Sequence, residues 1–191
     1  MGQIEHPELL QRHRLTVAEY YRMAEAGVLA PDARVELIEG EIVDTAPMRS
    51  RHASAVGRLN ILLSRAVGEE ALVWCQLPLR LSDASEPEPD LMLLRPRDDF
   101  YAGAHPGPAD VLLLVEVSES SVRYDREVKV PLYARHGIAE VWVVDLDAGV
   151  MRFFRRPAGG AYTDITASET PRTVSPQALP GVTVDLAPLF G

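Results

Sequence analysis

The 191-residue chain contains one cysteine, Cys75. Neither a disulfide framework nor a zinc cluster built on cysteines can form within it. No apolar stretch approaches the roughly 20 residues a membrane-spanning helix needs, so no span is expected. The N-terminus lacks the apolar core of a signal peptide, and the expected setting is cytoplasmic. Positive charge is also scarce: 19 Lys and Arg face 28 Asp and Glu, a formal net charge of −9. Broad, nonspecific nucleic-acid binding relies on basic surface, and this balance argues against it. It does not exclude a nuclease, because a metal site needs carboxylates. A phosphate-cradling glycine loop, a dinucleotide fingerprint and a Gly-x-Ser-x-Gly elbow are all absent. So are internal repeats, low-complexity tracts and domain linkers.

What is present is enough for a core: 47% of residues are hydrophobic and 25% charged. The length fits one domain over 1–191, with the polar segment before Thr16 as a loose arm. Thr16 followed by Glu19 reads as a capping box, opening a helix that Gly27 stops. Residues 34–45 alternate around Glu39-Gly40 and predict a hairpin. A second helix runs over 48–68, with Val56, Leu59, Leu62, Leu63 and Val67 at helical spacing. Arg49, Arg51, Arg58 and Arg65 recur along it, as a solvated face or as a basic stripe. Strands are predicted over 72–81, 91–94 and 110–118. The acidic connection 83–89 and the loop 95–108 separate them, and the loop's length marks it as a candidate flap. A helix over 125–136, with Pro131 inside it, leads at once to a strand over 140–145. That unit reads as a crossover between parallel strands. Short strands follow over 150–155 and 162–165, and the tail 182–190 is expected to dock on the body. The order predicts a mixed α/β (α+β) domain: a central mixed sheet with helices on both sides, preceded by a helix and a hairpin.

Within the most apolar run, 111–117, stands Glu116. A charge in a buried strand is costly unless it is paired or binds a metal. Alternation puts Leu112, Leu114, Glu116 and Ser118 on one face, with Val111, Leu113, Val115 and Val117 on the other. Asp90 follows Pro89 at the start of the 91–94 strand. If those strands are antiparallel neighbours, Asp90 and Glu116 meet, and the pair could hold magnesium or manganese through oxygen. Taken singly, Asp90 also reads as a turn acid, and Glu116 as a glutamate held by an arginine. Asp125, Lys129 and Tyr133 form one helix stripe. Lys129 either pairs with Asp125 at the surface or reaches back to the carboxylates to steady a phosphate. Glu36, out of phase with Val35 and Leu37, is a further carboxylate, an orienter of Lys129, or a solvated strand residue. His52 near a helix start is an accessory candidate beside a structural reading. Cys75 reads as a core thiol, Trp142 as strand packing and Asp145 as a strand-end turn.

Several short pieces occur in order: Glu36-Leu37-Ile38-Glu39-Gly40-Glu41, Pro47, His52, Pro89-Asp90 and Glu116-Val117-Ser118. Asp125 to Lys129, Tyr133 to Gly137 and Glu140-Val141-Trp142 complete the series. The series resembles the Uma-two family of restriction endonuclease-like proteins, over roughly residues 16–155. The resemblance implies the restriction endonuclease-like fold with a PD-(D/E)xK type of site. Asp90 matches the first acid and Glu116 the second. Ser118 stands where the motif's lysine belongs, and the resemblance gives that role to Lys129 on the next helix. Glu36 matches an early acidic position and His52 an accessory one.

The reading is a metal-dependent endonuclease hydrolysing nucleic-acid phosphodiester bonds, with DNA favoured. Asp90 and Glu116 hold Mg2+ or Mn2+, Lys129 and Glu36 complete the catalytic set, and His52 contacts substrate. A homodimer would supply the two sites that double-strand cutting needs, and no membrane partner is expected. The alternative is a noncatalytic binding or regulatory module retaining the nuclease fold, which the acidic charge and Ser118 favour. A third reading, a hydrolase of a small phosphorylated molecule, calls for a narrow closed pocket.

Overall fold

The computed structural model describes residues 12–119 and 121–190. Helix α1 (Val17–Glu25) opens on Thr16, whose side chain accepts from Glu19 N–H while the Glu19 carboxylate accepts from Thr16 N–H, a complete capping box. Strands β1 (Val35–Ile38) and β2 (Glu41–Asp44) form the expected hairpin. Its two turn residues, Glu39 and Gly40, both have positive φ, 50° and 77°. That backbone twist matches the twist of paired strands, and glycine adopts it without strain. A Cβ on Gly40 would also sit 2.7 Å from Arg14 Cβ. Residues 1–11 of the predicted arm lie outside the described residues. Its described end is tied to the hairpin: Leu15 N–H donates to Gly40 O at 3.0 Å, and Arg14 pairs with Glu41 at 2.7 Å.

A six-stranded sheet forms the centre, ordered β3 (Leu72–Cys75), β4 (Leu91–Leu94), β5 (Val111–Ser118), β6 (Glu140–Asp145), β7 (Val150–Ala158), β8 (Ala161–Glu169). All neighbours are antiparallel except β5 and β6, which run parallel. Helix α2 (Ser50–Val67) lays Ala55, Val56, Leu59, Leu63 and Val67 on one face of this sheet. The tail joins it there through the short pair β9 (Thr173–Val174) and β10 (Val184–Asp185) and α5 (Ala187–Phe190), with Val182, Val184 and Leu186 buried. The opposite face is covered by the crossover helix, which comes in three stretches. These are α3 (Val122–Tyr124), a π-helical stretch Asp125–Lys129, and α4 (Val130–Arg135). Pro131 has no N–H to give the carbonyl one α-turn back, and the helix widens immediately before it, with Val130 N–H reaching Asp125 O.

Three local expectations need correction. The strand predicted over 72–81 ends at Cys75. Gln76 takes φ 52°, Pro78 follows, and the chain turns away so that Leu79 N–H donates to Pro87 O instead of a sheet neighbour. The even alternation along β5 is broken by a register shift opposite Leu93 and Leu94. Leu112 therefore joins Leu113, Val115 and Val117 on the α2 side, while Val111 joins Leu114 on the other. The last hairpin is longer than its two short predicted strands, because Pro157 sits beyond the reach of β6, whose pairing with β7 ends at Arg155. A proline there leaves no ladder bond unmade.

Candidate active site

Antiparallel register sets Leu91 opposite Val115, so Asp90 comes level with Glu116. The two acids are laced across the strand gap. Val117 N–H donates to Asp90 Oδ2 at 2.8 Å, and Asp90 N–H donates to Glu116 Oε2 at 3.4 Å. Gln76 Nε2 donates to Asp90 Oδ1 at 3.3 Å. His52, from the first turn of α2, puts Nε2 3.2 Å from Asp90 Oδ2.

From the other side comes Lys129. Its Nζ lies 3.0 Å from Glu36 Oε1 and 3.4 Å from Glu116 Oε1. Lys129, Glu116 and Glu36 are only 7%, 2% and 3% exposed. Tyr133, one α-turn further, donates its hydroxyl to Glu116 Oε1 at 2.5 Å. Glu36 arrives on β1, which the acidic connection holds in place: Glu86 N–H donates to Leu37 O at 2.8 Å, and Glu88 N–H to Glu36 Oε1 at 3.1 Å. Ser118, where the motif lysine would stand, instead donates to Asp125 Oδ2 at 2.7 Å, as does Ser121. That pair of bonds ties the end of β5 to the helix that delivers Lys129.

The charges are unequal. Burial pushes the Glu116 carboxyl up to about 8; Lys129 pulls the other way, and Asp125 and Asp90 push further up. Burial opposes the Lys129 charge, yet Glu116, Glu36 and Asp125 outweigh it and raise its pKa above the ordinary lysine value. These shifts pull against each other across one contact. The direction that holds for Lys129 is up, because two carboxylates meet the ammonium. For His52 the hydrogen bond to Asp90 raises the pKa against the effect of burial. Burial raises Asp125 too, countered by its two serine donors.

Asp90, Glu116, Lys129, Glu36, His52 and Asp125 line one cleft of about 810 Å3, while Tyr133 and Ser118 support it from behind. The hairpin and the segment after it, including Arg34, Asp44, Met48 and Arg49, form one wall, and Glu119, Ser121 and Tyr124 part of another. The 95–108 loop takes no part in lining it. That loop is pinned elsewhere, by Tyr101 packing on Trp74 and donating to Arg95 O at 2.7 Å. Of the arginines on α2, Arg51 is taken by Asp147 and Leu146 O, both at 2.5 Å, and Arg58 by Pro188 O at 2.8 Å. No continuous basic stripe results.

Among the described residues, no group of three or more His, Cys, Asp or Glu has the spacing of a ready-made metal cage. Magnesium does not require one; it is commonly bound by one or two carboxylates, keeping waters and meeting substrate phosphates. The donor set fits that pattern. Asp90 and Glu116 offer hard oxygens beside the cleft, Glu36 Oε2 is buried without a partner among the described residues, and Lys129 offsets only part of the local negative charge. Sequence reasoning assigned no role to Tyr133, though the helix stripe contained it. Gln76 gave no signal at all, since its place depends on a left-handed backbone kink just past β3.

The mixed sheet, acids on adjacent strand ends and a buried lysine from the crossover helix define a restriction endonuclease-like domain. The model of the family described as "Uma2: Putative restriction endonuclease" matches residues 17–187, and the chain belongs to that family. A crystal structure described as "a putative nuclease belonging to DUF820", from Anabaena variabilis, superposes with a TM-score of 0.71. It is 16% identical, over 92% of this chain and 97% of that one, and so speaks for the fold. No curated protein matches the chain.

Proposed function

We propose that this protein is a magnesium- or manganese-dependent endonuclease that hydrolyses nucleic-acid phosphodiester bonds, DNA being the favoured substrate. One observation carries the reading: Lys129, brought in by a different element, lies within 3.4 Å of Glu116, which is laced to Asp90. Were Lys129 a surface cation, the motif would be broken at Ser118. Asp90 and Glu116 would hold the ion. When bound, it supplies an activated water and offsets charge on the phosphate. Lys129, kept charged by its two glutamates, donates toward the phosphate oxygens or the attacking water. Glu36 is a positioning residue, since its Oε1 fixes the ammonium. His52 steadies Asp90 through Nε2; in the imidazolium form, which that hydrogen bond favours, its Nδ1–H, without a partner among the described residues, would donate to the substrate phosphate.

The test is nicking of supercoiled plasmid with magnesium or manganese by wild type, Asp90→Ala and Lys129→Ala. Metal-dependent nicking should fall by about a hundred- to a thousand-fold in each variant. Nicking that survives both substitutions would sink the assignment. Metal binding without cleavage of any substrate would favour the noncatalytic module, to which Ser118 at the motif's lysine position already points.

A further inference from the structure

The cleft says more about the substrate than the motif does. Resting on the nuclease reading above, we infer that the strand enters as a single strand, gripped over about two phosphates by Arg34 and Arg49 and contacted by Tyr124.

Depth is the first argument. Lys129, Glu116 and Glu36 are between 2% and 7% exposed, so the scissile phosphate must descend to them. A cleft of about 810 Å3 is of the size that holds small ligands. A duplex, whose grooves alone are about 12 and 6 Å wide, is a far larger rod.

Charge is the second. Tight duplex binding spreads six to ten phosphate contacts over a basic face, to take the order of magnitude. Here Arg51 is paired with Asp147, and neither Arg51 nor Arg58 lines the cleft. The cations lining the cleft besides Lys129 and His52 are Arg34 and Arg49, and Asp44, Glu88 and Glu119 line it too. Two guanidiniums can seat a short run of backbone, but these acids repel a longer one.

Tyr124 is the third. It lines the cleft, and its hydroxyl oxygen is buried with no hydrogen-bond partner among the described residues. A buried unpaired hydroxyl is costly, and a nucleotide beside it would supply both a partner for the oxygen and a face for the ring.

The test compares cleavage of one labelled sequence as single-stranded DNA, as single-stranded RNA, as blunt duplex DNA and as a duplex with a single-stranded flap, in magnesium or manganese. Single strands and flaps should be cut at least about ten times faster than duplex, which base contacts of the expected strength would give. Either sugar supports the inference, and the two single-strand arms say which one is used. Duplex cut as fast as single strand overturns it while leaving the nuclease intact. No cleavage in any arm removes the nuclease reading and this inference with it.

Binding read by anisotropy in calcium should have a log–log salt slope of about −1.4, at about −0.7 for each of two phosphates. A slope several times steeper overturns the short footprint. Tyr124→Ala should raise KM for single strands about ten-fold with kcat largely kept, and Arg49→Ala should raise KM and flatten the salt slope by about 0.7. Tyr124→Phe should keep the part of the effect due to the ring, and Arg65→Ala, away from the cleft, should change nothing. KM unmoved in both Arg49→Ala and Tyr124→Ala overturns the assignment of the contacts.

Discussion

Two buried glutamates on neighbouring strands, Glu116 on β5 and Glu140 on β6, are 2% and 1% exposed, and they differ in how their charge is met. Glu140 is saturated. Its Oε1 accepts from Trp142 Nε1 at 2.8 Å and from Arg155 Nε at 2.7 Å, and its Oε2 from Gln177 N–H at 2.6 Å. One acid meets one arginine, whose guanidinium also lies over the Phe153 ring. Glu116 shares a single lysine with Glu36 and sits near Asp90 and Asp125, beside a cleft. A buried charge therefore does not mark a site by itself. The marks are surplus charge of one sign, a counter-ion divided between acids, and access to an opening. Glu140 instead pins the tail segment at Gln177 to the sheet.

The largest effect that would break this contrast comes from exchanging the two losses. Glu116→Gln should lower metal-dependent cleavage by about a thousand-fold. It should not lower the thermal midpoint near about pH 6, because there the neutral amide replaces a carboxyl that burial keeps largely protonated. Glu140→Ala should destabilise the fold by about 3 kcal/mol by leaving Arg155 without its partner, while cleavage per folded molecule stays near wild type. Denaturant melts beside activity, each corrected for folded fraction, check both. If Glu116→Gln were as destabilising as Glu140→Ala and equally active, the contrast would be false.

The contrast was half legible in the sequence. Glu116 stood out because it interrupts an apolar run, and Asp90 because a short apolar strand follows it. The capping box, the hairpin turn and the α2 apolar face were legible for the same reason: each is a local pattern. The meeting of Asp90 with Glu116 depended on antiparallel pairing, a condition the sequence left open and the β4–β5 register meets. Lys129 was open between surface and site, because spacing fixes a helix face and says nothing of what the face meets. The rest turned on nonlocal or strained features. The left-handed Gln76 ends β3 early, and the bulge moves Leu112 across the sheet. Glu140, fastened to a residue 37 positions downstream, has no local signature that separates it from Glu116.

A smaller effect sharpens the comparison through pH. The Glu116 carboxyl is raised from an ordinary 4.5 to about 8, with burial the main cause. A carboxyl raised in the folded state favours folding fully below its unfolded value, and that contribution is lost as pH rises through the folded one. Stability owed to Glu116 should therefore decline between about pH 4.5 and about pH 8, and Glu116→Gln should flatten the decline. A divalent cation competes with the same proton, so the thermal shift given by magnesium should be larger at about pH 8 than at about pH 6. An equal shift at both values would mean that the ion binds without displacing that proton, and Glu116 would lose its place as a ligand.

The smallest effect isolates one hydroxyl. Tyr133→Phe removes the donor to Glu116 Oε1 and almost no volume from a fully buried position. The hydrogen bond favours the ionised carboxyl, so its removal should raise the Glu116 pKa further. Two consequences separate this from a packing defect. Stability should fall only by about 1.5–3 kcal/mol, the scale of one hydrogen bond to a charged group. The acidic limb of the pH–rate profile, and the pH at which magnesium begins to stabilise the fold, should both move upward together. Loss of stability with an unmoved pH profile would make Tyr133 a core residue only, and Glu116 would then be set by burial and Lys129 alone. Coupled movement of both pH-dependent readouts would show that the phenol keeps this carboxylate ionised enough to serve, beyond filling its place in the core.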